Sequence, residues 1–282
     1  MKWLYPLAKR FIAGHDFGSA KPKIQLLLDE GFEVSIDYLG EISSNLGDCQ
    51  KAKLQYVEII NFYKNKSIDI SIKPSQLGML INPVLSYENI NFLAKMAKIR
   101  GHTIRLDMED SRVTELTRNL AISLNEKYGN VGVAIQANLY RTEQDIKELI
   151  KKGVSVRLVK GAYKESEDIA HQREMDIESK FYHYAALLYS HKSNRPAIGT
   201  HDQDLLEDVH VLIPNPYYFD YEFLYGIRRD LQRLYKDQSH TVRIYVPFGK
   251  DWLPYCLRRM KEWKNLKFVI KNIFYEFFKR KK

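Results

Sequence analysis

The stretch VGVAIQANLYRTEQDIKELIKKGVSVRLVKG (131–161) decides the fold. Its opening, VGVAIQAN (131–138), is rich in residues that favour a pleated backbone and reads as a strand. EQDIKELIKKG (143–153) has the 3.6-residue periodicity of a helix and stops at Gly153, the residue type that most readily closes one. VSVRLVKG (154–161) reads as a second strand. Strand, helix, strand is a crossover unit, and a crossover makes its two strands parallel.

The same alternation continues in both directions. The other β-rich runs are FEVSIDYL (32–39), DISIKPSQL (68–76), TIRLDME (103–109), PAIGTH (196–201), YYFDYEFL (217–224) and TVRIYVPF (241–248), eight in all with the two above. Helix-type segments between them include YENINFLAKMAKIR (87–100) and the stretch 168–191. Eight such units without a break predict an α/β fold of the (β/α)8 TIM-like barrel type in a single domain. An open doubly wound sheet would carry a glycine-rich turn after its first strand, whereas here that strand runs into Tyr38-Leu39-Gly40-Glu41.

Composition narrows the function. The chain is 45% hydrophobic, ample for a core. Its two cysteines, Cys49 and Cys256, form no disulfide framework and no metal spacing, which points to a reducing, cytoplasmic setting. The start, MKWLYPLAKRFIAGHDFG, has no signal-peptide core, and no run approaches the ~18 uncharged apolar residues of a membrane span. The net charge of +9 is concentrated: the last 25 residues carry +8 and the rest is nearly neutral. A nucleic-acid surface on the fold itself is therefore not expected. The boundaries expected are a barrel over 1–262 and a basic amphipathic helix over 263–282, where Leu266, Ile270, Ile273 and Phe277 recur at helical spacing. Two readings of that tail stand. One is peripheral attachment to an anionic inner membrane face, with about 1 kcal/mol per basic residue near the surface. The other is a helix packed on the barrel with a solvated basic end.

Barrel enzymes place their chemistry at the C-terminal strand ends. Those ends hold Lys73, then Asp107 and Glu109, then Gln136, then Arg157, Lys160 and Tyr163, then Thr200 and His201, then Leu224, and finally Tyr245 in the last strand. Charges in strands are costly to bury unless paired. Singly, Lys73 with Asp107 reads equally as a structural ion pair, Arg157 as a salt bridge at the barrel mouth, and His201 as a structural histidine. Together they suit an anionic cofactor and a carboxylate. Adjacent Arg258 and Arg259, in RIYVPFGKDWLPYCLRRMKEW (243–263), add two planar, permanently charged groups able to grip a carboxylate with paired hydrogen bonds. There is no cysteine cluster, no H-E-x-x-H and no G-x-S-x-G, so neither a metal site nor a hydrolase elbow is expected.

RLVKGAY (157–163), GTH (199–201), LYGIRRDLQ (224–232) and the RIYVPFG…W.PY..RR…E run together resemble the flavin-dependent proline dehydrogenases, including the proline dehydrogenase module of bifunctional proline-utilisation enzymes. The resemblance extends from the IDYLGE run (36–41) to Glu262. It implies noncovalent FAD, oxidation of L-proline to Δ1-pyrroline-5-carboxylate by hydride transfer to flavin N5, and a quinone electron acceptor. Carried over, it places Arg258 and Arg259 on the proline carboxylate with Lys73, and Glu262 as the group holding an arginine. Tyr163, Leu224, Tyr245 and Tyr255 wall the pyrrolidine ring. Asp107 and Arg157 take the catalytic positions, the arginine beside the flavin ring. Met108, Gln136, Lys160, Gly161, Ala162, Thr200 and His201 contact FAD. Asp202 stands where the family often has Asn, and Glu222 where it often has Gln. The alternative is a flavin barrel acting on hydroxyproline or another proline analogue.

Overall fold

The computed structural model describes residues 9–40, 42–64 and 66–256. Helix α1 (Phe17–Asp29) comes first, capped by Asp16, whose side chain accepts the Ser19 amide at 2.8 Å. Eight strands follow: β1 (Glu33–Tyr38), β2 (Asp69–Ile72), β3 (Thr103–Leu106), β4 (Val131–Gln136), β5 (Val156–Val159), β6 (Ala197–Gly199), β7 (Asp220–Leu224) and β8 (Val242–Phe248). Helices α2 (Leu46–Phe62), α3 (Pro83–Ile99), α4 (Ser111–Tyr128), α5 (Thr142–Lys151), α6 (Glu174–Ser190), α7 (Gln203–Leu212) and α8 (Arg229–Asp237) alternate with them. Each strand is parallel to the next, and β8 closes on β1 with Ser35 opposite Tyr245. This is the expected closed eight-stranded barrel.

The strands are buried on both faces, but the two faces differ in chemistry. Ile36, Ile70, Ile72, Ile104, Leu106, Val133, Ile135, Leu158, Phe223, Ile244 and Val246 belong to the main hydrophobic core, which the surrounding helices cover. The alternate residues face the lumen. Arg157 on β5 reaches Ser71 on β2 and Glu222 on β7, strands that share no ladder with β5, so these contacts cross the lumen. The floor is ionic as well. Arg105 meets Asp69 at 3.3 Å, and Arg243 meets Asp220 at 2.8 Å as well as Glu33. The Asp69 carboxyl feels burial first, yet Arg105 and Arg243 outweigh it and hold its pKa down at about 2.

Some element bounds differ from the expectation, each for a backbone reason. The second run stops as a strand at Ile72, because Pro74 has no N–H for the ladder and opens a short 3-10 helix (Pro74–Leu77). Pro216 does the same ahead of β7, where Pro216–Tyr218 is a 3-10 turn. Residues 168–173 are not helical. Their backbone pairs with the β4–α5 loop through Tyr140 N–H to Ile169 O at 3.1 Å and His171 N–H to Asn138 O at 2.8 Å.

Helix begins again at 252–256. Trp252, Tyr255 and Cys256 pack there with Phe11, Ile12, Leu39 and Ile227 in a second, smaller hydrophobic cluster. Arg258, Arg259, Glu262 and the expected 263–282 helix lie outside the described residues, as does the boundary at 262. Among the described residues no helix is long and apolar enough to cross a membrane.

Candidate active site

At the C-terminal ends of β1, β2, β3, β5, β7 and β8 a compact cluster fills the lumen beneath the mouth. Lys73 follows β2 directly and donates to Asp37 Oδ1 at 2.8 Å, to Asp107 Oδ2 at 3.2 Å and to the Tyr245 hydroxyl at 3.3 Å. Tyr245 donates to Asp107 Oδ2 at 2.7 Å. The other Asp107 oxygen accepts from Arg157 Nη2, and Arg157 Nη1 donates to Glu222 Oε1 at 2.6 Å and to Ser71 Oγ at 3.3 Å. One carboxylate, Asp107, therefore joins a lysine, an arginine and a tyrosine.

Electrostatics follow from burial and pairing. Burial opposes charge on Lys73, but Asp37 and Asp107 outweigh it and hold the ammonium well above the ordinary lysine range. Arg157 is likewise held charged against its burial by Glu222 and Asp107. Burial pushes the Asp107 carboxyl up, and Lys73 and Arg157 more than reverse it, leaving an ionised group below its usual range. Asp37 ends on the other side: it is fully buried, and desolvation raises it despite Lys73. Burial, reinforced by Asp107, drives the Tyr245 hydroxyl well above its usual range, so it remains a neutral donor.

A second group lies at the ends of β4, β5 and β6. The Gln136 amide donates to the Glu109 backbone carbonyl at 2.9 Å. Glu109 itself turns to the 3-10 helix, where its Oε2 accepts the Ser75 amide at 3.0 Å. Lys160 is shared by Asp202 at 2.5 Å and Glu178 at 2.9 Å. Burial works against its charge, and hydrogen bonds to Asp202 and Glu178 restore it above the ordinary value. Gly161 has φ 116°, a left-handed conformation that favours glycine, and a Cβ there would come within 2.2 Å of Asn138 Oδ1. Thr200 Oγ1 accepts the Asp202 amide at 3.2 Å, and His201 Nε2 accepts the Leu224 amide at 2.9 Å. His201 thus braces β7 through its ring nitrogen. Met108 is buried in the main core, and Ala162 is exposed.

At the rim, Leu224 packs against the small cluster that contains Tyr255. Tyr163 is partly exposed and adds to the field that keeps Lys73 charged. The structure thus gathers Lys73, Asp107, Arg157 and Tyr245 into one hydrogen-bonded unit and gathers Leu224 with Tyr255 beside it.

A family model described as proline dehydrogenase matches residues 20–271. The chain belongs to the proline dehydrogenase family. Proline dehydrogenase 2 of Bacillus subtilis is 32% identical over 276 residues, which cover 94% of this chain and 90% of that protein. The proline dehydrogenase of Deinococcus radiodurans is 31% identical, with 96% and 91% covered. Among solved structures, proline utilization A from Bdellovibrio bacteriovorus superposes with a TM-score of 0.84 at 20% identity, over 93% of this chain and 33% of that one. That likeness speaks for the barrel.

Within this family member, several residues of the site carry little or no sequence signal. Asp37, Ser71 and Asn138 were not singled out, and Glu222 was noted only as a departure. The rule that flagged Asp107 also applies to Asp37: FEVSIDYL holds a carboxylate near the end of an apolar run. Asn138 carries no comparable signal, because an Asn after a strand is ordinary turn chemistry.

Proposed function

We propose that the protein oxidises L-proline to Δ1-pyrroline-5-carboxylate with FAD held at the ends of β4, β5 and β6, and passes the electrons to a quinone. The observation that carries this reading is the Lys73–Asp107–Tyr245–Arg157 unit under the barrel mouth, with Arg157 on the strand that leads into Lys160 and Gly161.

The residues present fit the cofactor. Gly161 leaves backbone open where a side chain would clash, and the buried Asn138 Oδ1 has no hydrogen-bond partner among the described residues. Arg157 and Lys160 stand at that end as cations each already paired with two carboxylates, and Gln136, Thr200 and His201 line the same end. When bound, FAD supplies the two-electron acceptor. The protein's part is orientation and charge, and holding a substrate in reactive geometry can contribute about 7–11 kcal/mol in favourable intramolecular cases.

The charge of Lys73 is already balanced by two carboxylates. A substrate carboxylate therefore needs further cations, and Arg258 and Arg259 are our candidates, with Glu262 steadying one of them. Tyr163, Leu224, Tyr245 and Tyr255 form the proposed wall around the ring. Asp107 orients Lys73, Arg157 and Tyr245 at once, which makes it the proposed centre of the catalytic group. The basic tail is the proposed contact with an anionic membrane in which a quinone resides.

The test is the purified protein with proline. Flavin absorbance bleached by L-proline supports the reading, and protein without flavin, or flavin that only hydroxyproline bleaches, overturns it. Arg258→Met and Arg259→Met are expected to raise KM for proline far more than they lower flavin content. Liposome co-sedimentation of the full chain against a truncation after Trp263 tests the membrane contact, and equal partitioning removes it.

A further inference from the structure

Glu222 is a buried carboxylate in the lumen that shares Arg157 with Asp107. Its Oε1 is 2.6 Å from Arg157 Nη1, while its Oε2 is buried with no hydrogen-bond partner among the described residues. Asp107, the other carboxylate on Arg157, has Lys73 and Tyr245 as well. On β7 Glu222 lies between Asp220 at the floor and Leu224 at the mouth, and it registers opposite Arg243 of β8. Its charge is felt by Arg157 above and by Arg243 and Arg105 below.

A buried carboxylate oxygen with no donor is unfavourable. The carboxylate places a full negative charge directly on Arg157, where an amide of the same shape would place none. Asp107 and Glu222 hold the two terminal nitrogens of one guanidinium from opposite sides, which fixes its plane across the lumen.

We propose that Glu222 is a positioning residue that orients Arg157 and, by offsetting its charge, would lower the electron affinity of a flavin held beside it. This rests on the flavin reading above. The two-electron-reduced ring is anionic, so a cation beside it favours reduction. A carboxylate behind that cation weakens the effect, and the low dielectric of the lumen preserves the influence over this distance.

The test compares wild-type holoenzyme with Glu222→Gln and Glu222→Asp by dye-equilibrated midpoint potential, with flavin content and thermal midpoint measured alongside. The Gln variant keeps the shape and an acceptor for Arg157 but loses the charge. The expected result is a shift of about tenfold toward the reduced form, about 30 mV for a two-electron couple, with flavin content retained. The Asp variant keeps the charge and is expected to stay within twofold of wild type, although its shorter reach lowers the thermal midpoint. A Gln variant that holds flavin at the wild-type potential overturns the proposal and leaves Glu222 as scaffold. Should the Gln variant shed its flavin, its potential is measured with FAD added in excess: a raised value supports the proposal, and a wild-type value rejects it. Wild-type protein that carries no flavin fails the cofactor reading itself, an outcome distinct from either of these.

Discussion

The Tyr245 hydroxyl donates to Asp107 Oδ2 at 2.7 Å, and the same oxygen lies 3.2 Å from Lys73 Nζ. A phenol on the last strand and an ammonium after the second thus converge on one oxygen after the third. Tyr245→Phe removes one of the two donors while leaving ring and volume. The lost hydrogen bond to a charged acceptor corresponds to about 1.5–3 kcal/mol. We expect kcat/KM for proline to fall at least tenfold with flavin content unchanged, as read by steady-state kinetics and absorbance. Kinetics equal to wild type would remove the hydroxyl from the working site.

Lys73 separates two carboxylates, Asp37 and Asp107. Lys73→Met leaves them buried without the shared cation, and breaking such a pair costs about 3–5 kcal/mol. The urea midpoint is expected to drop accordingly. The Lys73→Met/Asp37→Asn double variant should recover much of the loss, because it removes the uncompensated charge. Equal stability of the two variants would show that Asp37 and Lys73 do not act as a pair.

Asp202 does two things: its Oδ2 binds Lys160 at 2.5 Å, and its Oδ1 caps α7 by accepting the Leu205 amide at 3.3 Å. Asp202→Asn preserves the cap, since Asn and Asp cap about equally well. It also frees Lys160 from one competing carboxylate. Both groups are part-exposed, so the gain is limited to about 1 kcal/mol, read as roughly fivefold tighter flavin binding in a fluorescence titration. Weaker binding would mean that Lys160 is more useful held than free.

His240 is buried, stacks on Tyr217 with ring centroids 4.4 Å apart, and has no hydrogen-bond partner for either ring nitrogen among the described residues. Burial, with a contribution from His210, lowers its pKa to about 4. The unfolded chain takes up this proton near pH 6.5 and the folded chain only near 4, so acid favours unfolding between those values. His240 contributes its full stability above pH 6.5 and loses it as the pH falls toward 4. His240→Phe should narrow that loss, by up to about 1.4 kcal/mol per pH unit, while the two proteins differ least at pH 8. Parallel stability curves from pH 8 to 4.5 would contradict it.

The alternation of apolar strands and amphipathic helices is written plainly in the chain, because the outward strand faces and the helix stripes are one continuous core. The strand ends were legible for the same reason: Lys73, Asp107 and Arg157 interrupt otherwise apolar runs. The lumen itself was harder to read. Asp69, Arg105 and Arg243 also sit inside strands, but sequence does not say that they meet one another rather than solvent. The β2 run (68–76) crosses Pro74, where the strand in fact ends, and the β7 run (217–224) takes in Tyr217 and Tyr218, which belong to the 3-10 turn that Pro216 opens. The 168–173 stretch is helical by pattern, and a turn closed on Ser166 together with tertiary pairing to residues 138–140 takes it out of the helix. Arg258 and Arg259 stand out by type and adjacency, a signal that carries no geometry.

Arg157 ties β5 to β2 and to β7 through the middle of the cylinder, so it acts as a spoke. Attempts to broaden the range of ring substrates by mutagenesis should therefore leave the spoke alone. Variation belongs at Leu224 and Tyr163, on the rim, where a changed side chain alters the opening without loosening strands that have no ladder between them.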